Sequence, residues 1–426
     1  MSRRAWTLIL LSAGLGLVPE MMIARSMLLG GAVRFPASIH TAPLARDFLQ
    51  FWGAGWLLDH GQAATLFHPA HFQAWVLARF PFLTGHYRWG YPPGMVLFMV
   101  PFGLLPPLAA WILWMLGGTI ALASALGFVF GSRCLPALML ATLILPIYWD
   151  NFLVGQAMPW LAALTILGFG LLDRRPVLAG LAFGLLTVKP PLAMLAPVAL
   201  LAAGAWRSII AAAATAVVLA IFAAIAMPHA WPLFISRTMP EMTSYLQRPY
   251  LPTPSQAYMA SPFYAAEGLH LTRRAAWLIQ ASVTLLAIAA LWRLWRAPAP
   301  DPAARSARMA ASAALCVVAT PYAHVYDALA PSILLCAVLL KDARAAEGWT
   351  AVPAMIALWQ PGWSLAFALA MGLPVLPWAA WLAIGCGIAF PGLIRWSALD
   401  RLEPVGAGTG GLHVESETVR ERREGA

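Results

Sequence analysis

Asp47 is the carboxylate whose neighbours best suit it to acid–base chemistry. It stands directly before Phe48, Phe51 and Trp52, at the head of an aromatic segment interrupted by glycine. A carboxylate in a partly apolar site can take a proton from a hydroxyl nucleophile. The same spacing also allows Asp47 to cap the following helix by accepting hydrogen bonds from backbone N–H groups. The sequence leaves both roles open, and they are compatible.

Lys189 is an isolated cation in an apolar stretch. Leu185 to Val188 precede it and Pro190, Pro191 and Leu192 follow it. An ammonium group in such surroundings is costly unless it has a partner. If two short helices end at Lys189, its Nζ could meet the phosphate of an anionic lipid. The alternative is a side chain that reaches the membrane interface without binding anything.

Residues 320–327 form a polar segment between two apolar runs. His324 could donate a hydrogen bond to a phosphate or orient a base. Asp327 could pair with a cation such as Lys189, and we expect Tyr322 and Asp327 to contact a substrate. A loop that is only solvated at the surface is the alternative.

Further polar and aromatic side chains are candidates for the same site. Residues 148–156 contain Asp150 and Gln156, whose oxygens and amide could bind sugar hydroxyls, although Asp150 could be an ordinary loop charge. Arg88 joins Lys189 and His324 as a candidate ligand of phosphate. The remaining candidates for substrate binding are Gln50 and Trp52, which follow Asp47, and Tyr91, which lies about 40 residues further along the chain.

Metal chemistry has little support in the sequence. His68 and His71 lie on either side of Pro69 and a helix could turn both to one side, but no paired acidic ligand accompanies them. The chain has no P-loop, no GxSxG and no HExxH motif, which argues against an ATPase, a serine hydrolase and a zinc protease. We therefore predict no metal and no cofactor.

The elements that must position these residues are membrane helices. Of the 426 residues, 61% are hydrophobic and 10% are charged, and mean hydropathy is +0.74. Residues 93–172 contain only two charged side chains, and residues 349–394 contain none. Such runs accommodate several spans of about 20 residues, which must be helical in lipid. The composition therefore predicts an all-α polytopic membrane protein and does not indicate nucleic-acid binding.

The apolar segments predict about 12 transmembrane helices. The first span follows the basic residues Arg3 and Arg4 at the start of the chain. Further apolar segments follow from residue 94. The number of spans does not fit the orientation unless segment 94–105 enters and leaves the membrane on the same side, or unless two short apolar segments have been miscounted as spans. Short basic loops mark the cytoplasmic side, and the formal charge of +10 is concentrated there.

This orientation predicts how the chain divides. Residues 1–395 form the integral membrane domain, and residues 396–426 form a disordered cytoplasmic tail. Residues 30–92 make a first extracytoplasmic loop, and residues 228–274 make a second large one. In the first loop we expect a helix after Asp47 that lies in the membrane interface, and a second short helix from Pro69.

Several of these motifs, taken in order along the chain, resemble glycosyltransferase family 87 of the GT-C superfamily. The first block is Asp47-Phe48-x-x-Phe51-Trp52-x-Ala54-Gly55, followed by Gly61-Gln62-Ala63, Leu66-Phe67 and Pro69, and by Trp89-Gly90-Tyr91-Pro92-Pro93. Gly155-Gln156, Asp173 to Pro176 with Ala179-Gly180-Leu181, Lys189-Pro190 and Pro321-Tyr322 to Tyr326-Asp327 continue it. The resemblance covers residues 45–330. Phe67 departs from it, because the family has a tyrosine before the first-loop proline.

The resemblance implies a GT-C-like helical bundle and an inverting sugar transfer. The sugar, often mannose, would pass from a polyprenyl-phosphate donor to a hydroxyl of a lipid or glycan acceptor. The resemblance places the catalytic carboxylate on Asp47 and the phosphate-side roles on Lys189 and His324. It locates the protein in a bacterial cytoplasmic (inner) membrane, among membrane lipids, with its active site on the periplasmic, extracytoplasmic side.

A transporter or flippase of lipid-linked sugars is the alternative from another class. It too would need an amphipathic cavity with isolated charges. It would predict inverted repeats, which the sequence does not show convincingly, and no need for a carboxylate in an outer amphipathic loop.

Overall fold

The computed structural model describes residues 3–29, 45–81, 83, 86–248, 259–341, 351–358 and 377–390. The expected disordered tail, residues 396–426, lies outside the described residues. So do residues 30–44 of the first expected loop and residues 249–258 of the second.

The described residues are mainly helical. Helices of the first half are α1 (Arg3–Leu29), α2 (Phe48–Asp59), α3 (Ala63–Leu66), α4 (Pro69–Arg79), α5 (Pro93–Gly103), α6 (Pro107–Phe130), α7 (Leu135–Ile144), α8 (Pro146–Val154), α9 (Met158–Leu171) and α10 (Pro176–Leu185). They are followed by a 3₁₀ turn (Leu186–Val188), α11 (Pro190–Ala193), α12 (Ala196–Ala202) and α13 (Trp206–Ala226).

The described residues of the second half are helical as well. Its elements are α14 (Ala230–Leu233), a π-helical turn (Phe234–Thr238), α15 (Met239–Tyr245), α16 (Pro262–Gly268), α17 (Arg273–Arg296), α18 (Pro302–Val318), a 3₁₀ turn (Val325–Ala328), α19 (Leu329–Lys341), α20 (Ala351–Leu358) and α21 (Pro377–Ala389). The described residues contain no strand, only one isolated bridge between Met259 and His324.

Among the described residues, three helices are long and apolar enough to cross a membrane: α6, α13 and α17. The pair α7 and α8, bent by 68°, would make a fourth span if it crosses as one. Helix α5 has 11 residues, about 16 Å at 1.5 Å per residue, which is shorter than a hydrocarbon core of about 30 Å. Helix α5 is thus too short to cross alone, and both the re-entrant path of residues 94–105 and the count of about 12 spans stay predictions.

The two helices expected after Asp47 and from Pro69 are both present. Helix α2 begins at Phe48, and α4 begins with Pro69 in its first turn, where the missing N–H of proline costs nothing. Gly61 follows α2 with a positive φ of 67°, a conformation that glycine adopts without strain. Local sequence signals were thus sufficient to predict these helices.

Helix α2 is more fully enclosed by protein than was expected from the sequence for a helix in the membrane interface. Most of the helix is buried, including Phe51, Trp52, Ala54 and Leu57. The indole Nε1 of Trp52 donates a hydrogen bond to the carbonyl oxygen of Leu105 at 2.8 Å. Trp52 is therefore enclosed by protein and anchors α2 to the connection between α5 and α6. The interfacial location of the loop as a whole stays a prediction.

Helices α2 and α5 meet backbone to backbone. A Cβ atom on Gly55 would lie 2.1 Å from the carbonyl oxygen of Met99, and one on Gly103 would lie 2.3 Å from the backbone nitrogen of Trp56. Only glycine at both positions allows this approach. Because Asp47 immediately precedes α2, the contact also fixes where its carboxylate lies.

We expect Gly55→Ala to destabilise the protein by about 1–3 kcal/mol, the usual cost of overpacking. The new methyl group cannot displace backbone atoms without separating the two helices. Gly14→Ala in α1 is the matched control, because no atom lies within 4 Å of the Cβ it would add. Thermal unfolding of the purified proteins in detergent measures the difference, and equal midpoints for both variants would contradict the prediction.

Residues 146–154 form a helix rather than the polar loop expected around Tyr148 to Gln156. The chain bends at Leu145 and Pro146, where proline cannot continue the preceding helix. Asp150 and Asn151 are buried within α8. The amide Nδ2 of Asn151 donates to the carbonyl oxygen of Tyr326 at 3.2 Å, which ties α8 to the polar segment near His324.

Candidate active site

A cavity of about 350 Å³ brings together most of the predicted site residues. Its size lies in the range of small-molecule sites. The predicted residues that line it are Asp47, Gln50, Arg88, Tyr91, Gln156, Lys189, Tyr322 and His324. These residues come from five separate parts of the chain, between residues 47 and 324.

Asp47 contributes its carboxylate to the cavity without capping α2. No backbone N–H of the helix donates to its side chain. Instead, Nε2 of Gln156 donates to Oδ2 of Asp47 at 2.6 Å, and Nε of Arg46 lies 3.5 Å from Oδ1. The capping alternative is thus not formed, and the carboxylate is held by side chains at the cavity.

Gln156 reaches Asp47 because the end of α8 lies against the start of α2. The backbone nitrogens of Ala45 and Asp47 donate to the carbonyl oxygens of Leu153 and Val154, at 2.7 and 3.0 Å. Gly155 then turns the chain with a φ of 79°, and a Cβ on it would lie 2.5 Å from Cβ of Phe48. Glycine at this position permits both the turn and the close contact that aligns Gln156.

If Asp47 is the base expected from the sequence, Gln156→Ala should lower the turnover number about 10- to 100-fold while the KM for the expected sugar donor changes little. The loss of an orienting partner leaves the carboxylate in place but less well aligned, and small misplacements of a reacting group cost up to about 100-fold in rate. Steady-state assays with labelled donor measure both constants. Gln62→Ala, at an exposed position before α3, is the control. A rise in the KM for the donor with an unchanged turnover number would instead indicate that Gln156 binds the donor.

Lys189 is buried and forms an ion pair with Asp327. Its Nζ contacts Oδ1 of Asp327, and Nζ lies 5.0 Å from the ring centroid of Tyr326. Oδ2 of Asp327 accepts a hydrogen bond from the backbone nitrogen of His324 at 3.0 Å. The pairing suggested by the sequence is therefore present. Asp327, only 1% exposed, also fixes the turn that carries His324, so the segment is not a merely solvated loop.

His324 offers an acceptor nitrogen to the cavity. Its Nδ1 lies 3.0 Å from the carbonyl oxygen of Tyr322, which can only accept, so Nδ1 carries the proton of this bond. Burial lowers the pKa of His324 below its usual value, while Asp327 opposes that shift. The ring is then neutral near pH 7 and Nε2 accepts. A hydrogen bond from Nε2 to phosphate would require protonation.

Arg88 lines the cavity but its charge is already balanced. Its Nη1 lies 3.1 Å from Oε1 of Glu241, its Nη2 donates to the hydroxyl of Tyr245, and its guanidinium lies 3.6 Å from the centroid of that ring. The backbone nitrogen of Arg88 donates to Oε1 of Gln50 at 3.2 Å. Gln50 therefore holds the segment before Tyr91, which has no regular secondary structure, against α2.

Three predicted site residues do not line the cavity. Trp52 packs among aromatic rings behind α2, Asp150 is enclosed in α8, and Asp327 lies beneath Lys189. All three are buried by packing or by pairing within the protein. The sequence alone could not distinguish these roles from ligand binding.

The sequence interpretation missed one wall of the cavity. It is formed by the apolar and hydroxyl side chains Phe234, Met239, Met242 and Thr243; Phe51, Trp89, Tyr326 and the prolines at 92, 190 and 191 also line the cavity. The first four belong to the π-helical turn and α15. A π-helical turn frequently marks a functional site, but its extra residue per turn leaves no reliable signal in the sequence.

The apolar helices and a cavity with one carboxylate, one buried ammonium and an apolar wall define a membrane protein with a site for an amphipathic substrate. Residues 89–321 match the model of glycosyltransferase family 87, and the chain belongs to this family. Comparison with curated proteins and with solved structures found no match. The protein is thus a membrane glycosyltransferase, which favours the enzyme over the transporter considered above.

Proposed function

We propose that the protein transfers a sugar, mannose being the first candidate, from a polyprenyl phosphate to a hydroxyl of a lipid or glycan acceptor. The observation that carries the proposal is the shared cavity of Asp47 and Lys189. A base for the acceptor and a cation for the leaving phosphate are the two groups that this reaction needs.

Asp47 is the base of the proposed reaction. The acceptor oxygen attacks the anomeric carbon, a new C–O bond forms, and the hydroxyl proton passes to the carboxylate. Among the described residues that line the cavity, Asp47 is the only acidic one. A single carboxylate suits a direct displacement, which inverts the anomeric configuration. Gln156 keeps the carboxylate oriented during the step.

Lys189 stabilises the departing lipid phosphate. The bond between the anomeric carbon and the phosphate oxygen breaks, and its electron pair leaves with the polyprenyl phosphate. The negative charge that grows on that oxygen is favoured by an ammonium group that is itself buried. Asp327 and the ring of Tyr326 hold Lys189 at this place.

The apolar wall fits the lipid part of such a donor. Phe234, Met239 and Met242 line the cavity together with the polar residues. Methionine side chains adapt to irregular apolar ligands, so this wall suits the first isoprene units. We infer that the site faces the extracytoplasmic side, as the distribution of basic loops predicts.

The proposal is tested with purified protein, membrane lipids and radiolabelled polyprenyl-phosphate sugars. Mannosyl, glucosyl and galactosyl donors are compared with nucleotide sugars under the same conditions. We expect a labelled product from a polyprenyl-phosphate donor and none from a nucleotide sugar. The anomeric configuration of the product, determined by NMR, should be opposite to that of the donor. Transfer from nucleotide sugars alone would overturn the proposed donor.

A further inference from the structure

A second pocket, of about 640 Å³, adjoins the candidate active site. Its lining is basic, with the side chains His68, His71, His86, Arg88, Arg237 and Arg248 and a single acidic one, Glu241. Arg88 lines both pockets. The side chains that line this pocket are mainly polar, whereas those of the active-site cavity are both polar and apolar. The two pockets therefore suit different chemical groups.

The π-helical turn and the start of α15 separate the two pockets. Phe234, Met239 and Met242 line the active-site cavity, while Ser236, Arg237, Pro240 and Glu241 line the second pocket. The ion pair between Arg88 and Glu241 completes the partition. A molecule bound in the second pocket thus lies one wall away from Asp47.

The positive charge of the second pocket exceeds what Glu241 can balance. Oε1 of Glu241 is shared, lying 3.1 Å from Nη1 of Arg88 and 3.3 Å from Nη2 of Arg248. Arg237 is exposed and has no acidic partner among the described residues. Its guanidinium remains available to an anion, and arginine binds phosphate through two parallel hydrogen bonds.

The histidines that line the second pocket add further donors. His68 and His71 stack with ring centroids 4.9 Å apart at the start of α4, and His86 is exposed beside them. An imidazole has an N–H donor even when neutral. The pocket therefore offers guanidinium and imidazole donors from two elements to one anionic group.

We propose that this second pocket binds a phosphate group of the acceptor, so that the acceptor is a phosphate-bearing molecule. The inference rests on the proposed function, which gives the donor phosphate to Lys189 and leaves the second pocket for the other substrate. A phosphate held by Arg237 and the histidines would bring an acceptor hydroxyl across the partition to Asp47. The phosphate could belong to a lipid headgroup or to a free phosphorylated compound.

Binding is measured separately from catalysis, in protein that also carries Asp47→Asn. The probes are inorganic phosphate, glycerol 3-phosphate and glycerophosphoglycerol, with glycerol as the neutral control, titrated calorimetrically into protein in neutral detergent. We expect Arg237→Gln to weaken phosphate binding about tenfold, as for loss of one charge-assisted partner. Arg274→Gln, at an exposed arginine outside both pockets, should leave binding unchanged, and Arg237→Lys should recover part of it.

Each outcome decides the inference. Binding of glycerophosphoglycerol that depends on Arg237 supports a lipid headgroup, and binding of the monoesters alone supports a free phosphorylated acceptor. Binding that is the same in the wild type and in Arg237→Gln, or equal for glycerol and the phosphates, overturns the site. If Arg237-dependent binding persists while no sugar is ever transferred, the proposed function fails and the phosphate site stands.

Discussion

Replacing Asp47 by asparagine abolishes sugar transfer if Asp47 is the base, with an expected loss of about 10²- to 10⁴-fold in the turnover number. Asparagine has nearly the same shape and keeps an oxygen that can accept the hydrogen bond from Gln156. It cannot take the proton of the acceptor hydroxyl. The substitution therefore removes the proton acceptor and keeps the local structure.

The measurement compares initial rates of transfer with labelled polyprenyl-phosphate sugar for wild type, Asp47→Asn and Asp47→Glu. Donor binding and thermal stability of the asparagine variant should remain close to wild type. The glutamate variant restores a base displaced by one methylene group, so we expect a rate between the other two. Near-wild-type transfer by Asp47→Asn would remove Asp47 from the mechanism, and an unfolded variant would be revealed by its melting curve.

The role of Asp47 became sharper once its surroundings were known. Its position before an aromatic helix allowed either a cap or a base, because both functions use a carboxylate at a helix start. The missing cap bonds remove the first alternative, the bond from Gln156 holds the carboxylate at the cavity, and the base is the role that we propose. Gln156 lies 109 residues further along the chain, and no local pattern could show that contact.

Local signals predicted the helices of the first loop well. Pro69 in a first turn and Gly61 after α2 act through their own backbone preferences, which tertiary contacts did not override. The aromatic spacing of α2 was less informative. Phe51, Trp52 and Trp56 suit a membrane interface as well as a protein core, and the close contact of Gly55 with α5 places much of the helix in the core.

Long-range pairs were only partly predictable. An isolated lysine in an apolar run requires a partner on energetic grounds, and Asp327 was a reasonable choice because buried charges are compensated. The pairing of Arg88 with Glu241 had no such signal, since Glu241 lies in a region with other charges nearby. The π-helical turn, which separates the two pockets, follows from packing and not from a sequence pattern.

The ion pair between Lys189 and Asp327 raises the question of whether Lys189 serves folding or catalysis. Both explanations predict that Lys189→Met loses activity, because the substitution leaves Asp327 as a buried, unpaired carboxylate. Breaking a buried pair in this way costs about 3–5 kcal/mol. A single variant therefore cannot assign a catalytic role.

The double variant Lys189→Met/Asp327→Asn separates the two roles. It removes both charges, and the asparagine oxygen can still accept the hydrogen bond from the backbone nitrogen of His324. We expect the double variant to regain most of the stability lost in Lys189→Met, because no unpaired charge remains. Transfer should stay about 10²- to 10³-fold below wild type, the usual loss when one group that stabilises a developing anion is removed.

Thermal unfolding and transfer rates of wild type, both single variants and the double variant give the complete comparison. Asp327→Asn alone keeps the ammonium and should retain more activity than either variant that lacks Lys189. Recovery of transfer together with stability in the double variant would assign Lys189 a purely structural role. In that case the charge of the leaving phosphate would have to be met elsewhere in the cavity, and Arg88, released from Glu241, is the arginine that lines it.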